Sequence, residues 1–323
     1  MRSNICNMAF QIFLLASGFF LLIKGSDWLV GGASALAQRF NVSDLSIGLT
    51  IVAFGTSAPE LVVNTFAAYH GHHEIVLGNI IGSNIFNIYV ILGIAGLITP
   101  LVIQSGTVSK EIPFSLFAIV LFYIISNDFN FSHSGMISRF DGFILLIFFG
   151  LFLCYVYKQM KTNIVRKETD QIHFSLLKIT VLIIAGLAGL IAGGRLIVVN
   201  AVQIAQATGV SEKIIALTIV AAGTSLPELA TSVVAAVKKN NDIAVGNIIG
   251  SNIFNIFFIV GVSSVIRPAK YDKVFNSDIC FLSFGTIILL IAMFTGHRKK
   301  LDRWEAGVFL LLFGGYLIYM LNR

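Results

Sequence analysis

The sequence predicts an all-α polytopic membrane protein whose ten transmembrane helices form two inverted-topology repeats of five. Three observations carry that prediction. The first is composition: of 323 residues, 56% are hydrophobic and 12% charged, with a mean hydropathy of +0.88, whereas a soluble domain carries about 25% charged residues. The second is the apolar character, all the way round, of stretches such as DGFILLIFFGLFLCYVY and FLSFGTIILLIAMF. Membrane barrel strands alternate apolar and polar residues, so these stretches are helices. The third is an internal duplication: 47–93 aligns without a gap on 215–261 at a constant offset of 168, with 28 identities in 47 positions.

At roughly 20 apolar residues per crossing, the first five spans fall at 8–39, 45–69, 74–98, 112–126 and 141–157. The second five fall at 176–207, 211–237, 243–266, 279–294 and 304–320. The opening MRSNICNMAFQIFLLASGFFLLIKGS has the positive end and apolar run of a signal peptide. Its repeat counterpart, at 177–195, lies in mid-chain, so it is read as a retained first helix. A polar linker, KQMKTNIVRKETDQ, separates the halves, which are 1–160 with helices 1–5 and 161–323 with helices 6–10.

Charge orients the bundle. The odd connections hold thirteen Lys and Arg residues, against seven in the even connections and termini. By the positive-inside rule the odd connections are cytoplasmic and both termini lie outside, in a multi-pass protein of the cell's inner (plasma) membrane. Five spans separate Glu60 from Glu228, and an odd number makes the two copies enter the bilayer from opposite sides. Transporters built from inverted repeats place their site at the midplane, where the copies meet.

The same features exclude several function classes. The net charge is +6, yet no basic stripe with interleaved aromatics occurs, so no nucleic-acid partner is expected. Cys6, Cys154 and Cys280 are far apart and flanked by apolar residues, which supports neither a disulfide framework nor a CxxC metal site. The GTS triplets lack a nucleophile-elbow pattern and no His accompanies their serines. The chain is therefore not read as an enzyme, and no cofactor or obligate protein partner is expected.

The duplicated segment carries polar groups through an apolar region. Thr56 and Ser57 lie four and three residues before Glu60, and Thr224 and Ser225 lie likewise before Glu228, so each set shares a helical face. Pro59 and Pro227 lack an N–H and crowd the carbonyl four residues back, predicting a bend or unwinding at 53–56 and 221–224. Carbonyls freed in lipid need a donor, a water or a cation. In the following spans Ser83 pairs in spacing with Asn87, and Ser251 with Asn255. Gly78 with Gly82, and Gly246 with Gly250, leave flat patches for close helix approach. The oxygens of the two hairpins can thus converge, which suits the six to eight ligands at about 2.3–2.6 Å that Ca²⁺ takes. No Cys or His joins the set, so a hard cation is favoured over zinc or copper.

GTSAPE with GNIIGSNIFN, and GTSLPE with GNIIGSNIFN, resemble the two alpha-repeats of the calcium/cation antiporter superfamily, and the whole chain is similar to prokaryotic sodium/calcium exchanger-type proteins. The resemblance implies exchange of Ca²⁺ for Na⁺ by alternating access, with the two ions and the lipid bilayer as partners. Carried over by position, Glu60 and Glu228 would be the principal Ca²⁺ ligands, assisted by the carbonyls of Thr56 and Thr224. Ser57, Ser225, Ser83, Ser251 and the carbonyls of Ala53 and Ala221 would complete flanking Na⁺ sites. Asn87 and Asn255 occupy the remaining family positions. Many relatives have an Asp at one of these two; Asn at both removes a third carboxylate.

Two bare carboxylates in a dry passage are costly, while one Ca²⁺, two Na⁺ or two protons cancel their formal charge. Exchange then follows if only the loaded site changes sides. The rival readings are a Ca²⁺ or other cation exchanger driven by H⁺ through the same glutamates and, from a different class, a cation channel. Changing sides is assigned to the first and sixth spans, which are interrupted at VGGAS and AGGRL. At the common offset Asp27 matches Arg195, which sets up an opposite-charge pair across the repeat interface. The HGHHE stretch, with His70, His72, His73 and Glu74, is read as a solvated loop, and Trp28 and Trp304 as interface anchors.

Overall fold

The computed structural model describes all residues except 1, 105, 128–134, 163–173, 208–220, 296–298 and 323, and leaves out the side chains of 2–9, 162, 207, 221 and 321. Among the described residues the chain is a bundle of helices with two very short β pairs. Helix α1 is Arg2–Arg39, α2 is Asp44–Thr56, α3 is Ala58–His70 and α4 is His73–Ile98. Helix α5 is Thr107–Ser126, α6 Arg139–Thr162 and α7 Leu176–Ala207. After one turn at Ala221–Gly223 come α8 (Leu226–Val237), α9 (Asn241–Ile266), α10 (Phe275–Ala292) and α11 (Arg303–Leu321). Among the described residues seven helices are long and apolar enough to cross a membrane, or eight counting the pair α2 and α3, bent by 49°, as one span.

These bounds extend several expected spans by a few residues. The largest change is in α6, which runs on to Thr162 through the start of the polar linker. Its segment KQMKT has good helix formers and no glycine or proline, so nothing stops the helix. The expected seventh span begins on 211–220, which lie outside the described residues; its second part is α8.

Burial divides the bundle into a centre and a rim. Helices α4 and α9 are 72% and 94% buried along their apolar windows, whereas α1 and α7 are 28% buried each. Isoleucines of α4 and α9, among them Ile80, Ile85, Ile88, Ile248, Ile253 and Ile256, fill the core. Phe10, Phe13, Phe20, Leu177 and Leu311 point outward, as lipid-facing side chains do.

Helices α1 and α7 cross backbone to backbone. A Cβ on Gly25 would stand 2.8 Å from both the carbonyl oxygen of Gly186 and the amide nitrogen of Leu190, and one on Gly18 would stand 3.0 Å from the carbonyl oxygen of Gly193. As the residue number rises along α1 it falls along α7, so the two helices are antiparallel. Gly18 and Gly25 are the offset counterparts of Gly186 and Gly193, so the two contacts exchange under the offset of 168. Gly246 and Gly250 likewise let α9 approach α2, with would-be Cβ distances of 3.0 Å to the Leu45 carbonyl oxygen and 2.8 Å to that of Leu49. The matching neighbours of Gly78 and Gly82 would fall at 213–217, outside the described residues.

The short β pairs join connections far apart in sequence. Strand β1 (Leu101–Val102) is antiparallel to β4 (Lys300–Leu301), and β2 (Met136–Ile137) is antiparallel to β3 (Ala269–Lys270). The expected pair of Asp27 with Arg195 does not form. Asp27 binds Lys238 at 2.6 Å instead, because the end of α8 reaches the flank of α1.

Candidate cation site

Each motif glutamate stands in the first turn of a new helix. Pro59 and Pro227 take the opening positions of α3 and α8, where a missing N–H leaves no bond unmade. The helix break is therefore at Ser57 (φ −85°, ψ 7°) and Ser225 (φ −89°, ψ 6°). Residues 53–56 stay helical, and the unwinding expected there lies one residue further on. The carbonyl of Ala53 is not freed: it accepts from the Ser57 N–H at 3.0 Å and from the Thr56 hydroxyl at 3.3 Å. Ala221 opens the turn that leads into the second break.

The break turns each motif serine toward the glutamate of the other half. Ser57 Oγ donates to Glu228 Oε1 at 2.7 Å, and Ser225 Oγ to Glu60 Oε1 at 3.4 Å. Ser57 is also 3.0 Å from Ser251 Oγ. Thr56 donates to Asn247 Oδ1 at 3.0 Å, while Thr224 accepts from Asn79 Nδ2 at 3.3 Å. Both glutamates are 1% exposed and close enough for their charges to interact. Among the described residues neither has an ion-pair partner.

A second tier of amides joins the helices that carry these motifs. Asn87 Nδ2 donates to Asn252 Oδ1 at 2.9 Å, and Asn255 Nδ2 to Asn84 Oδ1 at 3.0 Å. Asn64 Nδ2 binds Asn79 Oδ1 at 2.7 Å, and Asn247 Nδ2 binds Ser232 Oγ at 2.9 Å. Every one of these contacts has its counterpart at the offset of 168. With their amide nitrogens engaged, Asn87 and Asn255 present their oxygens to the interior.

Among the described candidate ligands, five buried oxygens have no hydrogen-bond partner: Oε2 of Glu60, Oε2 of Glu228, Oδ1 of Asn87, Oδ1 of Asn255 and Oγ of Ser83. Buried acceptors are ordinarily paired, and leaving a carboxylate oxygen bare in low dielectric is costly. Carboxylate, amide and hydroxyl oxygens are the donors that hard cations take. Helices α2, α4 and α9 each contain a widened, π-type turn, at Gly48–Val52, Asn87–Ile91 and Phe254–Val260; such turns recur at functional sites.

Hydrogen bonds thus gather Thr56, Ser57, Ser251 and Glu228 into one group and Thr224, Ser225 and Glu60 into its counterpart, while Asn87 and Asn255 stand in the amide tier. Sequence reasoning missed Asn79, Asn84, Asn247 and Asn252, although all four are identical between the copies, in GNIIGSN. Asn64 and Ser232 differ between copies and gave no such signal.

The profile of the family described as sodium/calcium exchanger protein matches residues 10–158 and 178–322. The chain is similar to the inner membrane protein YrbG of Escherichia coli, at 34% identity over 95% of this chain and 94% of that one. It is also similar to the sodium/calcium exchanger MaX1 of Methanosarcina acetivorans, at 30% identity over 95% and 97%. A solved structure of the sodium-calcium exchanger NCX_Mj, soaked with 2.5 mM Na⁺ and 0.1 mM Sr²⁺, superposes with a TM-score of 0.83 at 33% identity, over 98% of this chain and 99% of that one.

Proposed function

Because the chain belongs to the sodium/calcium exchanger family, whose members are cation antiporters, we propose that it exchanges Ca²⁺ for Na⁺ across the inner membrane by alternating access. Glu60 and Glu228 are the principal ligands of Ca²⁺. The observation that carries this reading is the pair of buried glutamates, each given a hydroxyl by the opposite half and each left with a bare Oε2. Two facing carboxylates match the charge of one Ca²⁺ or two Na⁺. The oxygens of Asn87, Asn255 and Ser83 extend the ligand set without adding charge, and Thr56, Thr224, Ser251 and Ala221 complete it at hydroxyls and carbonyls, whereas the Ala53 carbonyl is held by the backbone and hydroxyl of its own turn.

Coupling follows from charge. A site without its cation exposes two anions to a low-dielectric path, which costs several kcal/mol by order of magnitude. Only the loaded site then changes sides. The α1 and α7 pair, poorly buried and crossing through glycines, is the element that moves against the enclosed α4 and α9.

Ten spans in two inverted halves are part of the same reading. The antiparallel crossing of the equivalent helices α1 and α7 supports it. So does the parity of contacts between connections: β1 with β4 joins the third to the ninth, β2 with β3 the fourth to the eighth, and Gln104 with Asp242 the third to the seventh at 2.6 Å. Arg267 with the Tyr69 carbonyl joins the eighth to the second at 3.4 Å. Each links odd to odd or even to even, as shared membrane sides require.

The test is Ca²⁺ flux in proteoliposomes under a Na⁺ gradient at fixed pH and, separately, a pH gradient without Na⁺. Flux driven by Na⁺ alone is expected. Flux driven equally by the pH gradient would replace Na⁺ with H⁺, and Ca²⁺ entry with no counter-ion under a clamped potential would make the protein a channel.

A further inference from the structure

A second group of buried oxygens lies between α5 and α6, away from the paired glutamates. Tyr155 donates to Glu111 Oε1. One turn nearer the start of α5, a Cβ on Gly106 would stand 3.8 Å from Gln159 Nε2. In the other direction the rings of Phe114 and Phe152 stack at 5.5 Å. These contacts share one antiparallel register, which sets Thr107 opposite Gln159 and Glu111 opposite Tyr155, above a dry aromatic floor.

The polar rungs are not satisfied. Glu111 is 0% and Thr107 1% exposed, yet Glu111 Oε2, Thr107 Oγ1 and Gln159 Oε1 are buried without any hydrogen-bond partner. Among the described residues Glu111 has no ion-pair partner; Lys110, at the mouth, lies 5.8 Å from the Tyr155 ring centre. The backbone of Thr107–Glu111 is a widened π-type turn, like those of α2, α4 and α9 beside the central site.

We propose that Thr107, Glu111, Tyr155 and Gln159 form a second cation-binding site, for a monovalent ion of the Na⁺ class. The donor set is all oxygen, which suits a hard cation. It holds one carboxylate among neutral groups, so a single positive charge balances it and a divalent ion leaves an excess charge buried. An ion held there clamps α5 to α6 and is separate from the transported ions.

The test uses the full chain, purified in detergent, in a Glu60→Gln/Glu228→Gln background that disables the central glutamates, so that failure here is distinct from failure of the transport reading. Replacing choline chloride by NaCl at constant ionic strength is expected to raise the melting temperature by about 2 °C or more. Adding Glu111→Gln abolishes that rise. Should that variant not fold, Thr107→Val and Gln159→Leu, which keep the carboxylate, are expected to weaken the apparent Na⁺ affinity at least threefold. No Na⁺ effect in the background, or an effect that survives Glu111→Gln or both milder variants, overturns the site. Equal stabilisation by Ca²⁺ overturns its monovalent character. Stabilisation by lowering pH with no response to Na⁺ likewise overturns the site.

Discussion

Ser57 and Glu228 come from opposite halves of the chain and are joined by a 2.7 Å hydrogen bond, while the reciprocal bond from Ser225 to Glu60 is 3.4 Å. The two halves are alike in sequence and unequal in this contact. A hydrogen bond to a charged group contributes about 1.5–3 kcal/mol, and the shorter one contributes more. Ser57→Ala is expected to lower Ca²⁺ flux at sub-saturating Ca²⁺ about tenfold, and Ser225→Ala about threefold. Radioactive Ca²⁺ uptake into proteoliposomes measures both, and equal losses would contradict the asymmetry.

In the proposed exchange the two glutamates trade stability for function. Glu60→Gln and Glu228→Gln each leave a divalent ion half neutralised, and transport is expected to fall at least about 100-fold. In cation-free buffer the same variants remove a buried carboxylate whose Oε2 has no partner, so their melting temperatures are expected to rise. Loss of transport accompanied by loss of stability would point to a structural role.

The glycine crossing of α1 and α7 makes a kinetic prediction. Gly25→Ala places a methyl 2.8 Å from backbone atoms of Gly186 and Leu190, which cannot turn aside as a side chain can. Transport rate is expected to drop more than about tenfold, with stabilisation by Ca²⁺ retained in a thermal-shift assay. Gly31→Ala, with no neighbour within 4 Å among the described residues, is the control and is expected to be neutral.

The ion pair of Asp27 and Lys238 is partly exposed, at 44% and 38% of the side-chain surface, so its contribution is small. A double-mutant cycle with Asp27→Asn and Lys238→Met is expected to give a coupling of about 0.2–1 kcal/mol, weakening as salt is added. A coupling insensitive to salt would show that the pair is better shielded than its exposure indicates.

Much of the centre was legible because the chain spells it twice. Glu60, Ser57 and Asn87 drew notice as polar groups in an apolar run, and Glu228, Ser225 and Asn255 confirmed the pattern at a fixed offset. What could not be read was pairing across the halves. Helical spacing places Ser57 on the same face as Glu60, yet the break at Ser57 sends its hydroxyl to Glu228. Local periodicity ends at a break, and the partner is then chosen by the packing of distant helices. The same limit hid the partner of Asp27, since charge matching at the offset assumes a contact that tertiary geometry gives to Lys238. The amides of Asn79, Asn84, Asn247 and Asn252 were visible as repeated letters, but their work is to bond side chains of other helices, Asn64, Asn255, Ser232 and Asn87 in turn, which no spacing rule reports. Glu111 was passed over because it stands at a span edge, where an acidic residue is ordinarily solvated.

The pairing of Leu101–Val102 with Lys300–Leu301 has a consequence for biogenesis. The early strand must wait, its edge unmatched, until almost the entire polypeptide has left the ribosome. Assembly of the first half is thus provisional, and chains cut short before Lys300 are expected to be recognised by quality control as unfinished even though every residue proposed to hold the cation has already been made.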